Sequence, residues 1–129
     1  MDPDHDKPSH SVRARDQRER ADLLRQALAS RVVVADGAMG TMLQSVDLTL
    51  DDFEGYEGCN EILNVTRSDV VADIHRQFLS VGVDCVETNT FGANFGNLIE
   101  YDIPERTREL AYAGARIARQ AADDFSTDD

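Results

Sequence analysis

Residues 31–41 read RVVVADGAMGT. From Arg31 to Ala35 the residues are mostly β-branched and do not alternate with polar ones. A short apolar run of this kind is typical of a strand that is buried on both faces of a parallel sheet. Asp36 and Gly37 end the run, so we predict a first strand over residues 31–35 that is followed by a turn.

A helix is predicted further along the chain, over residues 66–81, TRSDVVADIHRQFLSV. Its apolar residues recur at helical spacing and fall on one face. They are Val70, Val71, Ile74 and Phe78. Thr66 and Asp69 have the spacing of a capping box, and Gly82 suits the position just beyond the end of the helix.

A second strand is predicted over residues 83–88, VDCVET. Val83 and Cys85 alternate with Asp84, while Val86 breaks the alternation. A helix, a glycine and then a strand form the αβ half of a βαβ unit. The second strand is therefore expected to run parallel to the first.

The segments before and between these elements are predicted to be simpler. Residues 1–10 are expected to form a disordered tail. Residues 11–30 are predicted to form a helix whose apolar stripe, Ala21, Leu24 and Leu28, is thin. The stretch between Gln44 and Asn64 is rich in turn residues and predicts an irregular loop.

Helices are also expected after the second strand. A short one is predicted over residues 94–100, and a last one begins near Pro104, since proline is favoured in the first helical turn. Small and apolar residues mark the buried stripe of the last helix. They are Leu110, Ala113 or Gly114, Ile117 and Ala121.

The resulting order is an α/β pattern with only two strands. Two parallel strands cannot cover their own edges, so the predicted sheet is incomplete. The chain has 129 residues and a mass of 14.3 kDa, which is room for one ordinary domain. A complete (β/α)₈ barrel needs about 250 residues.

The charge balance argues against two classes of partner. The chain has 25 acidic and 13 basic residues, and its net charge is -12. An acidic body repels phosphate, so binding to nucleic acid or to an anionic membrane is not expected. The polar start MDPDHDKPSH lacks the apolar core of a secretory signal, and a cytoplasmic location is expected.

Cysteine and histidine give weak signals. Cys59 and Cys85 show no metal-binding spacing, and two free thiols are expected. Asp73-Ile74-His75 matches the start of the cobalamin-binding pattern Asp-x-His-x-x-Gly, but Phe78 stands at the position of the glycine. Because this stretch lies inside an amphipathic helix, we interpret His75 as a helix residue that faces solvent.

The residues best suited to bind a ligand follow the two predicted strands. Asp36, Gly37 and Ala38 follow the first strand, and Glu87 and Thr88 end the second. Ligands of parallel α/β folds bind beyond the carboxyl ends of the strands. A carboxylate next to glycine can bind a substrate ammonium while backbone amides bind its carboxylate, so this pattern predicts an amino-acid site.

Other interpretations of these residues stay open. Asp36-Gly37 can be a simple turn, and the stretch ETNT, residues 87–90, can simply cap a helix. Glu87 is a candidate general base, although carboxylates at strand ends are often structural. Neither a Ser/His/Asp set nor a pair of catalytic carboxylates can be assigned, so no catalytic residue is predicted.

Three motifs in order carry a family resemblance. VVVADGAMGTMLQ, GCNEILNVTRSDVVADIH and GVDCVETNTFGAN resemble the start of the homocysteine S-methyltransferase module of cobalamin-dependent methionine synthases. The likeness covers residues 31–125. The long loop between Gln44 and Asn64 favours this group over the methyltransferases that use betaine or S-methylmethionine.

The resemblance implies a zinc-containing (β/α)₈ TIM barrel. Zinc binds the homocysteine sulfur and favours its thiolate, which takes a methyl group from methylcobalamin. Asp36 is implied to bind the homocysteine amino group, the amides around Gly37 and Ala38 to line the same pocket, and Thr88 to lie beside the substrate. Further modules of the family bind methyltetrahydrofolate, cobalamin and S-adenosylmethionine.

Several departures from the family pattern matter. The family's zinc ligands are three cysteines from late barrel strands, and neither Cys59 nor Cys85 corresponds to one of them. Ala38 and Ser68 stand where many relatives have Gly and Pro. These are mild changes that leave the resemblance intact.

We therefore expect an incomplete barrel. It consists of the helix over residues 11–30 and the first two β/α units over residues 31–129, with no complete zinc, folate or cobalamin site. Such a chain is expected to be inactive alone. Two alternatives stay open: a non-catalytic remnant that binds an amino acid or a partner, and one half of a split homocysteine methyltransferase.

Overall fold

The computed structural model describes residues 10–126, with side chains from residue 17 onward. The chain divides into two compact units, Met1–Val33 and Val34–Asp129. The boundary falls inside the run that the sequence predicts as the first strand. The tail predicted over residues 1–10 lies outside the described residues, apart from His10.

The first unit contains one helix, α1 (His10–Ser30), where the sequence predicts a helix over residues 11–30. Its end is closed by a backbone hydrogen bond of 2.9 Å from Arg31 N to Ala27 O. Leu24 and Leu28, on its thin apolar stripe, are half-exposed or more.

The second unit is mainly helical in its described part. Its helices are α2 (Met39–Gln44), α3 (Leu63–Thr66), α4 (Ser68–Ser80), α5 (Phe95–Leu98) and α6 (Thr107–Phe125). Short 3₁₀ turns occupy Asn60–Ile62, Ile99–Tyr101 and Pro104–Arg106. None of the helices within residues 10–126 is long and apolar enough to cross a membrane.

The two predicted strands meet at a single point. Ala35 and Cys85 form an isolated parallel bridge, so the expected direction is correct. Asp36 N donates to Cys85 O at 3.1 Å, and Asp84 N donates to Val34 O at 2.8 Å. No strand longer than this bridge forms within residues 10–126, so the predicted lengths are wrong. Two segments without further strands beside them lack the neighbours that hold a ladder extended.

The helix predicted over residues 66–81 forms as α4, which begins two residues later than predicted and ends at Ser80. α3 ends at Thr66, Arg67 leaves the helical region with φ -136° and ψ 54°, and α4 begins at Ser68. The predicted capping box is wrong, because Thr66 already lies inside a helical turn and its hydroxyl donates to Ile62 O at 3.2 Å. Asp69 instead accepts from the Arg67 guanidinium at 3.1 Å.

The end of α4 agrees with the prediction. Gly82 has φ +95°, a backbone conformation that L side chains rarely adopt, and its N–H donates to Leu79 O at 3.0 Å. Glycine stops a helix in this way at little steric cost. The short helix expected over residues 94–100 is also present, as α5 and the 3₁₀ turn that follows it.

Two apolar clusters form the core of the second unit. The first joins α2, α3 and α4 through Leu43, Leu63, Val70, Val71 and Ile74. The second packs the loop before α3 against α5 and α6 through Cys59, Ile62, Leu98, Ile103 and Leu110. α6 lies against both with a buried stripe of Leu110, Gly114, Ala118 and Ala121, three of which the sequence predicts.

Candidate functional site

The Asp36 carboxylate lies at the parallel bridge and is half-buried. Its Oδ1 accepts a hydrogen bond of 3.0 Å from the backbone N–H of Glu87. This charge-assisted hydrogen bond joins the end of the first predicted strand to the end of the second. The two segments that the sequence identifies as binding elements are brought together here, through Asp36 and the residue that precedes Thr88.

Gly37 and Ala38 follow Asp36 and lead into α2. A Cβ added to Gly37 would lie 3.4 Å from the ring of Phe78 on α4, so this segment passes over that ring at an ordinary van der Waals distance. Ala38 is the residue before α2 and has extended geometry, with φ -65° and ψ 120°. Both residues are exposed.

Thr88 is exposed at the start of the loop that follows the bridge. Its hydroxyl lies 2.6 Å from the hydroxyl of Thr90, and its carbonyl accepts from Thr90 N at 2.9 Å. Thr88 and Thr90 thus form a compact polar turn beside Glu87. The hydroxyl pair offers both a donor and an acceptor to a ligand.

His75 lies where the sequence did not place it. It is fully buried in α4, so the interpretation as a solvent-facing residue is wrong. Among the described residues neither ring nitrogen has a hydrogen-bond partner. Burial lowers the pKa of His75, and the negative charge of Asp36 opposes that shift. The imidazole lies on the inner side of α4, one helical turn after the fully buried Val71 of the predicted apolar face.

A buried polar network was missed by the sequence interpretation. It joins the segment before α4 to the loop after the bridge. Asn64 Nδ2 donates to Asn89 O at 2.7 Å, and Asn89 Nδ2 donates to Asn64 Oδ1 at 3.0 Å. Glu61 Oε1 accepts from Gly92 N at 2.7 Å. Glu61, Asn64 and Asn89 are each more than nine-tenths buried.

Two glycines make room for this network. A Cβ on Gly92 would lie 2.8 Å from Glu61 Oε1. A Cβ on Gly114 of α6 would lie 2.7 Å from Asn64 Nδ2. Both distances are shorter than a Cβ tolerates, so glycine is required for the approach. The sequence holds one hint of the network, since polar Glu61 and Asn64 flank the apolar pair Ile62 and Leu63.

Both cysteines are free: Cys59 is buried and Cys85 is exposed. Burial raises the pKa of Cys59, and the nearby Glu61 carboxylate adds to the rise. The Cys59 thiol lies 3.8 Å from Glu61 Oε2 and donates to it. The described residues contain no group of three His, Cys, Asp or Glu side chains that could hold a metal ion.

Comparison with known proteins identifies the family. A family model described as homocysteine S-methyltransferase matches residues 33–129. Methionine synthases from Mycobacterium tuberculosis (strain ATCC 25618 / H37Rv) and Mycobacterium leprae (strain TN) are each 58% identical over 108 residues, 84% of this chain. The chain spans only 9% of the length of these two relatives. It belongs to the homocysteine S-methyltransferase family.

Proposed function

We propose that the chain forms the first part of the homocysteine-binding TIM barrel of a cytoplasmic methionine synthase. Residues 11–30 form a helix ahead of the barrel, and residues 31–129 supply its first two β/α units. The reaction of the complete enzyme is methyl transfer from methyltetrahydrofolate, through methylcobalamin, to homocysteine. This chain holds the amino-acid end of homocysteine and performs no methyl transfer alone.

The hydrogen bond between Asp36 Oδ1 and Glu87 N carries this proposal. It sets the Asp36 carboxylate at the junction of the two motifs, with Gly37 and Ala38 on one side and Thr88 on the other. In the proposed complex Asp36 binds the homocysteine ammonium. The Gly37 and Ala38 amides bind its carboxylate, and Thr88 lies beside it. These contacts orient the substrate so that its sulfur points away from Asp36.

Zinc does not fit the residues described. Zinc in this family activates the substrate sulfur, but no suitable ligand group exists within residues 10–126. Neither Cys59 nor Cys85 lies in a group of three candidate metal ligands among the described residues. Zinc is therefore assigned to another part of the enzyme. Cobalamin is implied by the family alone, and no chemical step is assigned to either cofactor on this chain.

A chimeric enzyme tests the proposal. The 108 residues that align replace their counterpart in the Mycobacterium tuberculosis methionine synthase, at 58% identity. We expect the chimera to convert homocysteine to methionine. Asp36→Asn in the chimera should raise the KM for homocysteine by about 10- to 100-fold, because a hydrogen bond to a charged group contributes roughly 1.5–3 kcal/mol.

Asp47→Asn is the matched control. Asp47 is an exposed carboxylate outside the proposed pocket, and its substitution should leave the KM unchanged. The proposal is wrong if the chimera folds and carries its cofactors but does not turn over. It is equally wrong if Asp36→Asn and Asp47→Asn have the same KM for homocysteine.

A further inference from the structure

The loop from Glu87 to Gly92 carries Thr88 but has no regular secondary structure of its own. A loop with one exposed binding residue needs contacts elsewhere to keep that residue in place. The first contact is at its start, where Glu87 N donates to Asp36. Buried side chains that precede α4 hold the rest of the loop.

Glu61 holds the far end of the loop. Its Oε1 accepts from Gly92 N at 2.7 Å, a short bond to an ionisable acceptor. Asn97 Nδ2 donates to Gly92 O at 3.3 Å, so both backbone groups of Gly92 are bonded. A Cβ on Gly92 would lie 2.8 Å from the Glu61 carboxylate, so the loop is fitted closely around this side chain.

Asn64 holds the middle of the loop. It exchanges two hydrogen bonds with Asn89, from Nδ2 to Asn89 O at 2.7 Å and to Oδ1 from Asn89 Nδ2 at 3.0 Å. Asn64 Nδ2 also donates to Leu110 O on α6 at 3.1 Å. Asn89 Nδ2 further donates to Asn60 O at 3.0 Å. The residue directly after Thr88 is therefore bonded to the body of the unit.

Glu61 is a buried carboxylate whose hydrogen bonds go mainly to the loop. Its side chain is only 6% exposed, and burying a carboxylate costs free energy unless hydrogen bonds satisfy it. An apolar side chain at position 61, next to the core residues Cys59 and Ile62, would be buried without this cost in free energy. The bonds that Glu61 makes instead go to the loop backbone and to the Cys59 thiol.

We infer that Glu61 and Asn64 are positioning residues of the homocysteine pocket, which fix the 87–92 loop and thereby the place of Thr88 relative to Asp36. This inference rests on the proposed function. Neither side chain touches the substrate, since both are buried beneath the loop. Their effect is on how tightly homocysteine binds, through the placement of Thr88.

Kinetics of the chimeric enzyme provide the first test. Glu61→Leu removes the acceptor, and we expect a roughly tenfold higher KM for homocysteine at little changed kcat, which corresponds to about 1.4 kcal/mol of binding free energy. Glu61→Gln keeps an oxygen for Gly92 N and should restore most of the KM. Glu57→Leu is the matched control, because Glu57 is an exposed acidic residue four positions earlier.

A purely structural role for Glu61 predicts a different pattern. A partly unfolded enzyme loses kcat in proportion to its folded fraction while KM stays the same. The inference is overturned if Glu61→Leu changes kcat alone, or if Glu61→Gln is no better than Glu61→Leu.

A second measurement separates this inference from the proposed function. In the ¹⁵N-labelled 129-residue chain, Glu61→Leu should shift the amide resonances of Gly92 and Thr88, and Glu57→Leu should leave both in place. If the unsubstituted chimera is inactive but the Thr88 amide shifts in this way, the proposed function is wrong and the positioning role of Glu61 is supported. If Thr88 does not shift, the positioning is wrong whatever the activity.

Discussion

The buried imidazole of His75 links the stability of the chain to pH. Desolvation favours the neutral ring, so the pKa of His75 in the folded state lies below its ordinary value of 6.5. The unfolded chain therefore binds a proton more readily than the folded chain. It follows that this contribution to stability is full above pH 6.5 and is lost as the pH falls below it.

We predict that His75→Leu removes this dependence. The unsubstituted chain should lose stability between pH 6.5 and 5.5 by up to about 1.4 kcal/mol per pH unit, the limit for one proton. The variant has no titrating group at position 75, so it should lose less stability than the unsubstituted chain over the same interval. Urea unfolding at pH 7.5 and 5.5 measures both, and equal slopes for the two proteins would contradict the burial of His75.

Gly114 offers a second test at the scale of one residue. Alanine at an exposed helix position is usually better than glycine by up to about 1 kcal/mol. At Gly114 the added Cβ would meet Asn64 Nδ2 and Thr90 Cγ2, each at 2.7 Å. We predict that Gly114→Ala destabilises the chain by about 1–3 kcal/mol, the usual cost of overpacking.

Gly96→Ala is the control for this substitution. Gly96 lies in α5, and its added Cβ would meet only Asn94 Oδ1 at an ordinary 3.5 Å. Its stability should be unchanged or slightly higher in urea unfolding. A Gly114→Ala variant as stable as Gly96→Ala would mean that the polar network does not lie against α6.

Arg106 joins two elements of the second unit. Its guanidinium binds Glu109 of α6 through Nε at 2.9 Å and Nη2 at 3.1 Å, and Glu54 of the preceding loop through Nη1 at 2.6 Å. Glu54 has φ +52°, an uncommon conformation for a residue other than glycine. The ion pair thus connects the start of α6 to a strained turn.

We predict that Arg106→Met raises the pKa of Glu109. The hydrogen bond from Arg106 holds that pKa below its ordinary value of 4.5, and a methionine cannot provide it. Because the carboxylate is half-exposed, the cost in stability should be no more than about 1 kcal/mol. An NMR titration of the Glu109 side chain reads the shift directly, and Arg108→Met, at a neighbouring exposed arginine, should leave the pKa in place.

Local periodicity predicts the helices of this chain well and its polar contacts poorly. α4 and α6 have strong apolar stripes and follow the prediction, and Gly82 ends α4 as expected. α2 is short, and its apolar residues Met39, Met42 and Leu43 belong to the cluster that includes α4, a tertiary contact that local periodicity does not reveal. The predicted capping role of Thr66 is wrong because α3 begins before Thr66. The turn-rich composition of the preceding loop gave no sign of this helix.

The candidate site, too, was predicted only in part from the sequence. The rule that ligands bind beyond strand ends needs only the order of elements, and it points to residues 36–38 and 87–88. The individual roles of Asp36, Gly37, Ala38 and Thr88 are implied by the family resemblance. The network of Glu61, Asn64 and Asn89 depends on contacts between residues 25 or more positions apart. No local pattern in the sequence specifies which of these polar side chains become buried together.

The second unit exposes large apolar side chains around the bridge and beyond it. Phe91 is 100% exposed and Val81 is 79% exposed, and Val34 is 50% exposed beside the bridge. Exposed apolar surface of this kind favours contact with further protein. It agrees with the proposal that the chain is one part of a larger barrel, whose other strands would cover the bridge.

At this scale we predict that the chain alone is catalytically inactive. The purified 129-residue chain, supplied with zinc, methylcobalamin and homocysteine, should form methionine no faster than a mixture without protein. The physical reason is that the described residues offer no metal-ligand group to activate the homocysteine sulfur. Methionine formation above the background rate would contradict this prediction.

We propose above that Asp36 and its neighbours hold the amino-acid end of homocysteine. The most direct test is titration of the ¹⁵N-labelled chain with L-homocysteine, observed by NMR. We predict shifts at the amides of Gly37, Ala38 and Thr88 that disappear in Asp36→Asn and do not occur with 4-mercaptobutyrate, which lacks the amino group. Shifts that persist in Asp36→Asn, or no shifts at these amides in the folded chain, would contradict the claim.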